Sequence, residues 1–182
     1  MNFQLFNFPE LETSRLRLRK VTSHDAETIL HIRSDASINQ FIKRDAPKNI
    51  EDANTFIRKV NAGFVAGESI YWAICFKADQ KMVGSICLWH FNTEFKKAEL
   101  GYDLKSTYQQ QGIMTEAMQR VLKFGYEKLN LIEMEAFTHF ENERSISLLM
   151  KNNFRLVEGD SDPDNPNNVI YRISQSIESE LD

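Results

Sequence analysis

The sequence predicts a mixed α/β fold in which helices flank a sheet with a largely antiparallel beginning. Two patterns predict this class. Between residues 69 and 104 three strand-like segments follow one another, and a short polar turn joins the first two. From residue 112 onward the apolar residues recur every three or four positions, with only single strands between helical segments. The predicted order is β-α-α-β-β-β-α-β-α-β, and the length of 182 residues favours one domain over residues 1–182.

The first third of the chain predicts one strand and two helices. Residues 15–19 read RLRLR, an alternation with a period of two that is typical of a half-buried strand. Thr22 and Ser23 are favourable N-cap residues for a helix whose apolar stripe begins within residues 26–30. After a polar stretch, residues 53–64 carry apolar side chains at steps of three and four, which predicts a second amphipathic helix.

The middle of the chain predicts three consecutive strands. Residues 69–77 are apolar on both faces, as in a central covered strand, and the polar turn 78–81 leads into residues 82–91 as its hairpin partner. Residues 98–104 form the third strand. Gly101 lies inside it, and an isolated glycine in a strand indicates a bulge or the close approach of another backbone.

The last third predicts two helices and two strands. Residues 112–129 form the longest helix, followed by a strand over 133–140 and a helix over 141–152. Asn153 is expected to take the left-handed conformation just beyond this helix, with the next phenylalanine folded back onto it. The final strand covers residues 169–173.

Composition excludes several classes of function. Apolar residues make up 42% and charged residues 26%, which is ordinary for a globular protein, and the net charge of −4 argues against a general nucleic-acid binder. No apolar run approaches the roughly 18 residues needed to span a bilayer, and the beginning lacks the basic region of a secretory signal. Cys75 and Cys87 lie in apolar runs, as buried thiols in a reducing cytosol do, and no metal-ligand spacing is present. We therefore expect a cytoplasmic protein with no metal, nucleic-acid or membrane partner.

One junction in the sequence could carry chemistry. The strand ending at Leu104 is followed by a polar loop with one glycine, Gly112, and the long helix begins at once. The first turn of a helix has backbone N–H groups without intrahelical partners, which together with the helix dipole favour a bound phosphate. Every helix has such an end, and Glu116 could satisfy this one, so the pattern alone leaves a purely structural helix start open.

Four segments become specific when they are taken together. They are LETSRLRLRKVTSHDA at 11–26, KAELGYDL at 97–104, YQQQGIMTEAM at 108–118 and NERSISLLMKNNF at 142–154. In this order they resemble the GNAT N-acetyltransferase superfamily, and within it the ribosomal-protein acetyltransferases of the RimJ/RimL branch. The resemblance implies a mainly antiparallel central sheet in which the fourth and fifth predicted strands splay apart.

The resemblance also implies acetyl-CoA as the cofactor. Backbone N–H groups of the glycine loop would bind the CoA pyrophosphate, and the pantetheine arm would pair with the exposed edge of the fourth strand, opposite Asn142. Gln109 stands where many members have arginine, which removes one positive charge. Met114 occupies a usual Gly/Ala position, so its side chain must turn inward. The implied cofactor-binding residues are Tyr102, Asp103, Leu104, Gln109, Gln110, Gln111, Gly112, Ile113, Met114, Thr115, Asn142 and Ser145.

Acyl transfer to an amine requires a group that takes the amine proton. Glu99, on the fourth predicted strand, is the first candidate, directly or through a water molecule. His90, at the end of the preceding strand, is the second. The alternatives are that Glu99 is a solvated carboxylate near Lys96 and Lys97, and that His90 is an ordinary edge residue.

The same reaction needs a hydrogen-bond donor for the carbonyl oxygen and a proton or its equivalent for the departing thiolate. The Leu104 amide is a candidate for the first role. Ser145, near the thioester sulfur by resemblance, is the candidate for the second, unless it bonds its own helix backbone. Tyr102 and Tyr108 are alternative acids, although tyrosine in a strand is more often a packing residue.

The predicted function is transfer of an acetyl group to a primary amine, with a protein N-terminus as the acceptor that the branch implies. The alternatives are a small amine, such as a polyamine, an aminoglycoside or an amino-acid derivative, or a non-catalytic acyl-CoA-binding module. Homodimers are common in this branch. The acceptor pocket is expected to include the loop 41–49, with the acidic Glu94 and Glu99 attracting a cationic amine and the side chains of Tyr71, Trp89 and His90 nearby.

Overall fold

The structure is a computed structural model that describes residues 5–92, 94 and 96–175. One sheet organises these residues. Its strands are β1 (Leu11–Glu12), β2 (Leu16–Lys20), β3 (Ser69–Phe76), β4 (Met82–Asn92), β5 (Lys97–Leu104), β6 (Glu133–His139), β7 (Arg155–Leu156) and β8 (Asn168–Ser174). The spatial order is β1-β2-β3-β4-β5-β6-β8-β7, and every neighbouring pair is antiparallel except β5 and β6.

Helices cover both faces of the sheet. They are α1 (Ala26–Ser34), α2 (Ala36–Asn39), α3 (Ile50–Val65), α4 (Ile113–Lys128) and α5 (Glu143–Lys151). On one face, α1 and α3 bury Ile29 and Ile57 against β3. On the other face, α4 buries Met118 in the larger core around Trp72. None of the helices in the described ranges is long and apolar enough to cross a membrane.

The predicted mixed α/β fold class is confirmed. Each predicted strand and helix is found with its ends shifted by a few residues at most. The two-residue strands β1 and β7 and the single turn α2 escaped prediction, because segments this short show no periodicity. Since β1 comes first, the predicted fourth and fifth strands are β5 and β6.

The splay between these two strands is visible in their register. Parallel pairing joins Lys97 to Glu133, Ala98 to Met134 and Glu99 to Glu135, and it ends there. Beyond this point β5 continues to pair with β4 alone, while β6 continues to pair with β8. The outer edge of β5 after Glu99 therefore has backbone groups that no strand of the described sheet pairs with.

Of two local predictions, the one for Asn153 is confirmed and the one for Gly101 is wrong. Gly101 lies neither in a bulge nor against another backbone; a Cβ atom there would lie 3.1 Å from the side-chain Sγ of Cys87, so the glycine makes room for a side chain. Asn153 has a φ of 65°, and the amide of the buried Phe154 donates to the carbonyl of Leu149 at 3.0 Å. Both features follow from residue types that tolerate a backbone position which others do not.

The start of α4 is tied to the chain before β2 by one carboxylate. Glu116 accepts hydrogen bonds from the hydroxyls of Thr13 and Ser14, from the Arg15 amide at 3.0 Å and from Arg15 Nε at 2.7 Å. Partial burial opposes ionisation of Glu116, but these hydrogen bonds outweigh it and lower its pKa to about 2. Glu116 thus joins two elements that are about 100 residues apart in sequence.

We expect Glu116→Gln to lower the free energy of unfolding at pH 7 by about 2–3 kcal/mol. The lowered pKa means that the folded state favours the charged carboxylate, and a glutamine cannot supply that charge. The sign follows from the direction of the shift. The contribution is fully present above the unfolded pKa near 4.5 and is lost as the pH falls toward 2. Urea denaturation at pH 7 and pH 3 measures this, since the gap between wild type and variant should narrow at pH 3.

The matched control is Glu127→Gln on the same helix, where an exposed carboxylate lies 3.6 Å from Lys123. An exposed pair of this kind contributes little, so this variant should change stability by less than about 0.5 kcal/mol. Equal losses in the two variants would contradict the assignment of Glu116 as the tie between α4 and the chain before β2.

Candidate active site

The space between the diverging ends of β5 and β6 is a cleft with polar groups on both walls. Tyr102 comes from β5 and Ser145 from the first turn of α5, the helix that follows β6. Their side-chain oxygens are 2.8 Å apart, which is a hydrogen bond across the cleft. The structure thus joins two of the predicted site residues that are 43 positions apart in sequence.

The Tyr102 hydroxyl remains protonated at neutral pH. Burial raises the pKa of this phenol to about 12, and the hydrogen bond with Ser145 offsets only part of that increase. The pair can therefore donate a hydrogen bond to an anion that enters the cleft. Tyr108, the other predicted acid, instead packs edge-on against Phe76 with ring centroids 5.7 Å apart.

Asn142 stands at the beginning of α5. Its Oδ1 atom accepts a hydrogen bond from the Ser145 amide at 3.2 Å, so the side chain is the N-cap of the helix. This cap orients the first turn and, with it, the Ser145 hydroxyl. The Nδ2 group is not used by the cap, and it can donate to a molecule in the cleft.

The loop before α4 presents a cluster of backbone N–H groups. Gln110 and Gly112 have φ values of 61° and 72°, so the backbone turns sharply just before the helix. The first intrahelical bond runs from the Glu116 amide to the Gly112 carbonyl, and no side chain of the described residues caps the end. The amides of residues 113–115 are thus available to an anion. Met114 is 6% exposed, which confirms that its side chain turns inward.

Two arginines surround this loop. Arg15 donates to the Gln111 carbonyl at 3.2 Å, but its charge is paired with Glu116. Arg144 of α5 donates to Oε1 of Gln109 at 3.2 Å and has no ion pair within the described residues. The other end of the Gln109 side chain donates to the Leu104 carbonyl at 3.2 Å. Arg144 therefore places a positive charge beside Gln109, the loop position at which many family members have an arginine. Sequence reasoning missed it because it lies 35 residues away on another helix.

The two candidate bases are in direct contact. Nδ1 of His90 lies 2.8 Å from Oε1 of Glu99, at the residue where β5 and β6 stop pairing. The ring of Trp89 stacks on His90 with centroids 5.0 Å apart. A register shift between Trp89 and Asn92 and a φ of 45° at His90 turn the imidazole toward Glu99. Lys97, suggested above as a neighbour of Glu99, pairs with Glu133 instead.

The loop after α2 contacts both β5 and the end of β6, and its role in an acceptor pocket stays a prediction. Arg44 forms two hydrogen bonds with the Asp103 carboxylate, at 2.8 and 3.3 Å, which tie the loop to β5. Phe41 stacks on His139 at the end of β6 with ring centroids 5.1 Å apart. Of the remaining predicted pocket residues, Tyr71 is buried against α3, and Trp89, His90 and Glu94 are exposed.

Strand geometry places these groups on two faces of β5. Side chains alternate along a strand, so Tyr102 points toward the core beneath α4, whereas Glu99 and Asp103 point toward α1 and α3. The hydroxyl pair and the carboxylate–imidazole pair therefore flank the same strand edge from opposite sides. A molecule that lies along this edge can be contacted by both.

Comparison with known proteins gives a consistent assignment. Residues 15–155 match the family described as an acetyltransferase (GNAT) domain. The uncharacterized N-acetyltransferase YoaA of Bacillus subtilis is 29% identical over 148 residues, which cover 81% of this chain and 84% of YoaA.

Solved structures share the fold. A GNAT-family acetyltransferase from Bacillus anthracis superposes with a TM-score of 0.77 at 23% identity, covering 91% of this chain and 98% of that one. RimL, a ribosomal L7/L12 α-N-protein acetyltransferase solved in complex with coenzyme A, superposes with a TM-score of 0.79 at 16% identity. That match covers 91% of this chain and 98% of RimL.

Proposed function

The chain belongs to the GNAT acetyltransferase family and is an N-acetyltransferase, and we propose that it transfers the acetyl group of acetyl-CoA to the α-amino group of a protein N-terminus. The observation that carries this proposal is the separation of β5 from β6 after Glu99, which leaves a strand edge open to a cleft. The remaining groups of the site surround that edge.

The residues present fit acetyl-CoA. The amides of residues 113–115, at the uncapped start of α4, would hold its phosphates, and Arg144 would add a positive charge beside them. The open edge of β5 would pair with the amide groups of the pantetheine arm in the manner of an added strand, and Asn142 would donate from the other wall. When bound, the cofactor supplies an acetyl group as a thioester.

The chain's own groups then have distinct roles. The Glu99–His90 pair takes the proton of the incoming amine. The Leu104 amide is a donor for the carbonyl oxygen, as the sequence suggests. On the other face of β5, the Tyr102–Ser145 pair donates a hydrogen bond to the departing sulfur. Amine and sulfur thus meet protein groups on opposite sides of one strand edge.

The acceptor is proposed from two lines of support. RimL, whose name specifies an α-N-protein acetyltransferase, shares the fold. Trp89 and His90 are exposed at the rim, 45% for Trp89, so a chain end can reach the pair from solvent. An α-amino group has a pKa near 8 and asks less of a base than a lysine near 10.4.

Thermal unfolding with acetyl-CoA tests cofactor binding. At about 100 times its dissociation constant, a ligand adds roughly 2.7 kcal/mol of stability, which corresponds to a rise of about 5–10 °C in Tm for a chain of this size. CoA should give a similar rise and ATP a small one. Release of free thiol in the presence of peptides with a free N-terminus then measures turnover. The absence of any shift with acetyl-CoA would overturn the proposal.

Gly112→Ala should abolish most of this rise, because a Cβ atom at a φ of 72° strains the turn whose amides would bind phosphate. The matched control is Gly159→Ala in an exposed loop, where φ is 84° and a Cβ atom would meet no atom within 4 Å. Both variants carry a backbone cost of about 1 kcal/mol. Only Gly112→Ala should lose the response to acetyl-CoA, and equal responses would contradict the site.

A further inference from the structure

Arg33 of α1 carries a positive charge that no anion of the described residues pairs with. Its guanidinium carbon lies 4.0 Å above the ring of Phe56, and the residue is half-buried. Within the part of the chain that the structure describes, Arg33 forms no ion pair and no hydrogen bond. Burial lowers the pKa of this guanidinium, and the charge of Arg44 lowers it further.

Partial burial of an unpaired cation costs free energy, so its presence calls for a reason. The neighbouring Arg44 is fully engaged, because it bonds Asp103 twice and donates from Nε to Asn39 at 2.7 Å. Arg33 has five N–H donors, and contact with the face of an aromatic ring engages none of them as a hydrogen bond. These donors are available to a molecule that enters between α1 and the sheet.

The position of Arg33 relates it to the candidate base. Thr28 accepts a hydrogen bond from Lys105, just beyond the end of β5, at 3.2 Å. Arg33 is five residues further along α1, about 7.5 Å along the helix axis. Asp103 lies close enough to Arg33 to affect its pKa, and so does Cys87, which pairs with Gly101 of β5.

Arg33 therefore faces the side of β5 that carries Glu99. Glu99 is two residues from Gly101 and four from Asp103, and it lies on the same face of the strand. The positions of β5 that lie near Arg33 are thus roughly 7–13 Å along the strand from Glu99, which contacts His90. An extended peptide spans about 7–11 Å in two or three residues, and the length of an acidic side chain adds the remainder.

We propose that Arg33 binds a carboxylate of the acceptor, so that the preferred substrate is a protein N-terminus with an acidic side chain at its second or third residue. This inference rests on the proposed function and deepens it. Arg33 contacts the acceptor away from the reacting amine and sets specificity. The same unpaired charge repels a polycation and so disfavours polyamines as acceptors.

The experiment measures kcat/KM for four peptides that differ only in whether residues two and three are Glu or Gln, with spermidine as a fifth acceptor. Wild type should prefer the best acidic peptide about tenfold over the neutral one, the effect of one charged hydrogen-bonded contact in a partly solvated site. Arg33→Met should remove this preference by raising KM for the acidic peptide, with kcat for the neutral peptide unchanged. The variant keeps an apolar stem for Phe56 and loses an unpaired charge, so its Tm should be equal to or above that of wild type.

Arg58→Met is the matched control, since this exposed arginine of α3 pairs with Glu51 and should leave the peptide preference intact. Equal use of acidic and neutral peptides by wild type, or an equal loss with both in Arg33→Met, would overturn the inference and leave the proposed function standing. Spermidine as the best acceptor would overturn both. If none of the peptides is acetylated although acetyl-CoA gives a thermal shift, both the inference and the proposed function are overturned.

Discussion

Replacing Glu99 by Gln is expected to lower kcat/KM for a peptide acceptor by about 10²–10⁴-fold, the usual contribution of a positioned general base. Gln keeps the size of the side chain and can still contact His90, but it cannot hold a proton from the amine. Because Glu99 and His90 are 2.8 Å apart, they should act as a unit. His90→Asn should therefore lose a similar amount, and the double variant should lose no more than the larger single loss.

A pH profile distinguishes this role from a structural one. Raising the pH to about 9 deprotonates an α-amino group in solution, since its pKa is near 8. The acceptor then arrives as the neutral amine and only the proton released during acyl transfer remains to be taken, so the gap in kcat/KM between wild type and Glu99→Gln should narrow. The exposed Glu94 provides the matched control. Glu94→Gln removes the same charge nearby, and it should change kcat/KM by less than about threefold if charge attraction is a minor factor.

A loss in Glu99→Gln that stays constant from pH 6 to pH 9 would contradict the assignment of the base. A large loss in Glu94→Gln would show that the carboxylates act by attracting a cation. The rise in Tm that acetyl-CoA causes should be the same in both variants as in wild type, because neither side chain contacts the residues at the start of α4.

Local sequence patterns predicted most of the elements, for reasons that particular residues illustrate. The alternation over residues 15–19 corresponds to β2, in which Leu16 and Leu18 are fully buried and the arginines are more exposed. Asn153 could be placed beyond α5 because few other residues adopt a left-handed backbone at low cost. The splay of β5 from β6 was not accessible in this way. The local sequence of residues 100–104 does not indicate that they stop pairing with β6. That expectation came from the family resemblance alone.

The partners within the site depend on tertiary geometry. Tyr102 meets Ser145, and Gln109 meets Arg144, only because α5 follows β6 on the far wall of the cleft. His90 reaches Glu99 through an irregular turn of β4, which periodicity cannot indicate. Arg33 belongs to the same class. Its sequence position on an amphipathic helix predicts an ordinary polar side chain, and only the structure shows a guanidinium that no anion of the described residues pairs with.

The second large effect is expected at Tyr102, where Phe should lower kcat by about 10²-fold. A pKa of about 12 makes this hydroxyl a poor source of a transferable proton for a thiolate, since a thiol has a pKa near 8.5. It can still donate a strong hydrogen bond to the sulfur as negative charge develops there. A bond of this kind to a charged group contributes about 1.5–3 kcal/mol, which corresponds to roughly 10- to 150-fold in rate.

The hydroxyl of Ser145 provides a second test of the role of Tyr102. The oxygen atoms of Tyr102 and Ser145 are 2.8 Å apart, so one can orient the other. Ser145→Ala should thus reproduce part of the loss, and the double variant should lose less than the product of the single losses. Tyr108→Phe is the matched control, because Tyr108 packs against Phe76 outside the cleft and should leave kcat within about twofold.

The two steps of the reaction separate in these variants. Because the hydrogen bond to sulfur forms only as the thioester breaks, Tyr102→Phe should lower kcat with little change in KM for acetyl-CoA. Raising the pH should not restore its activity, unlike that of Glu99→Gln, since the departing sulfur does not depend on the acceptor's protonation. Recovery of Tyr102→Phe at high pH would move this hydroxyl to the amine side of the reaction. A rise in KM alone would make it a binding residue for the cofactor.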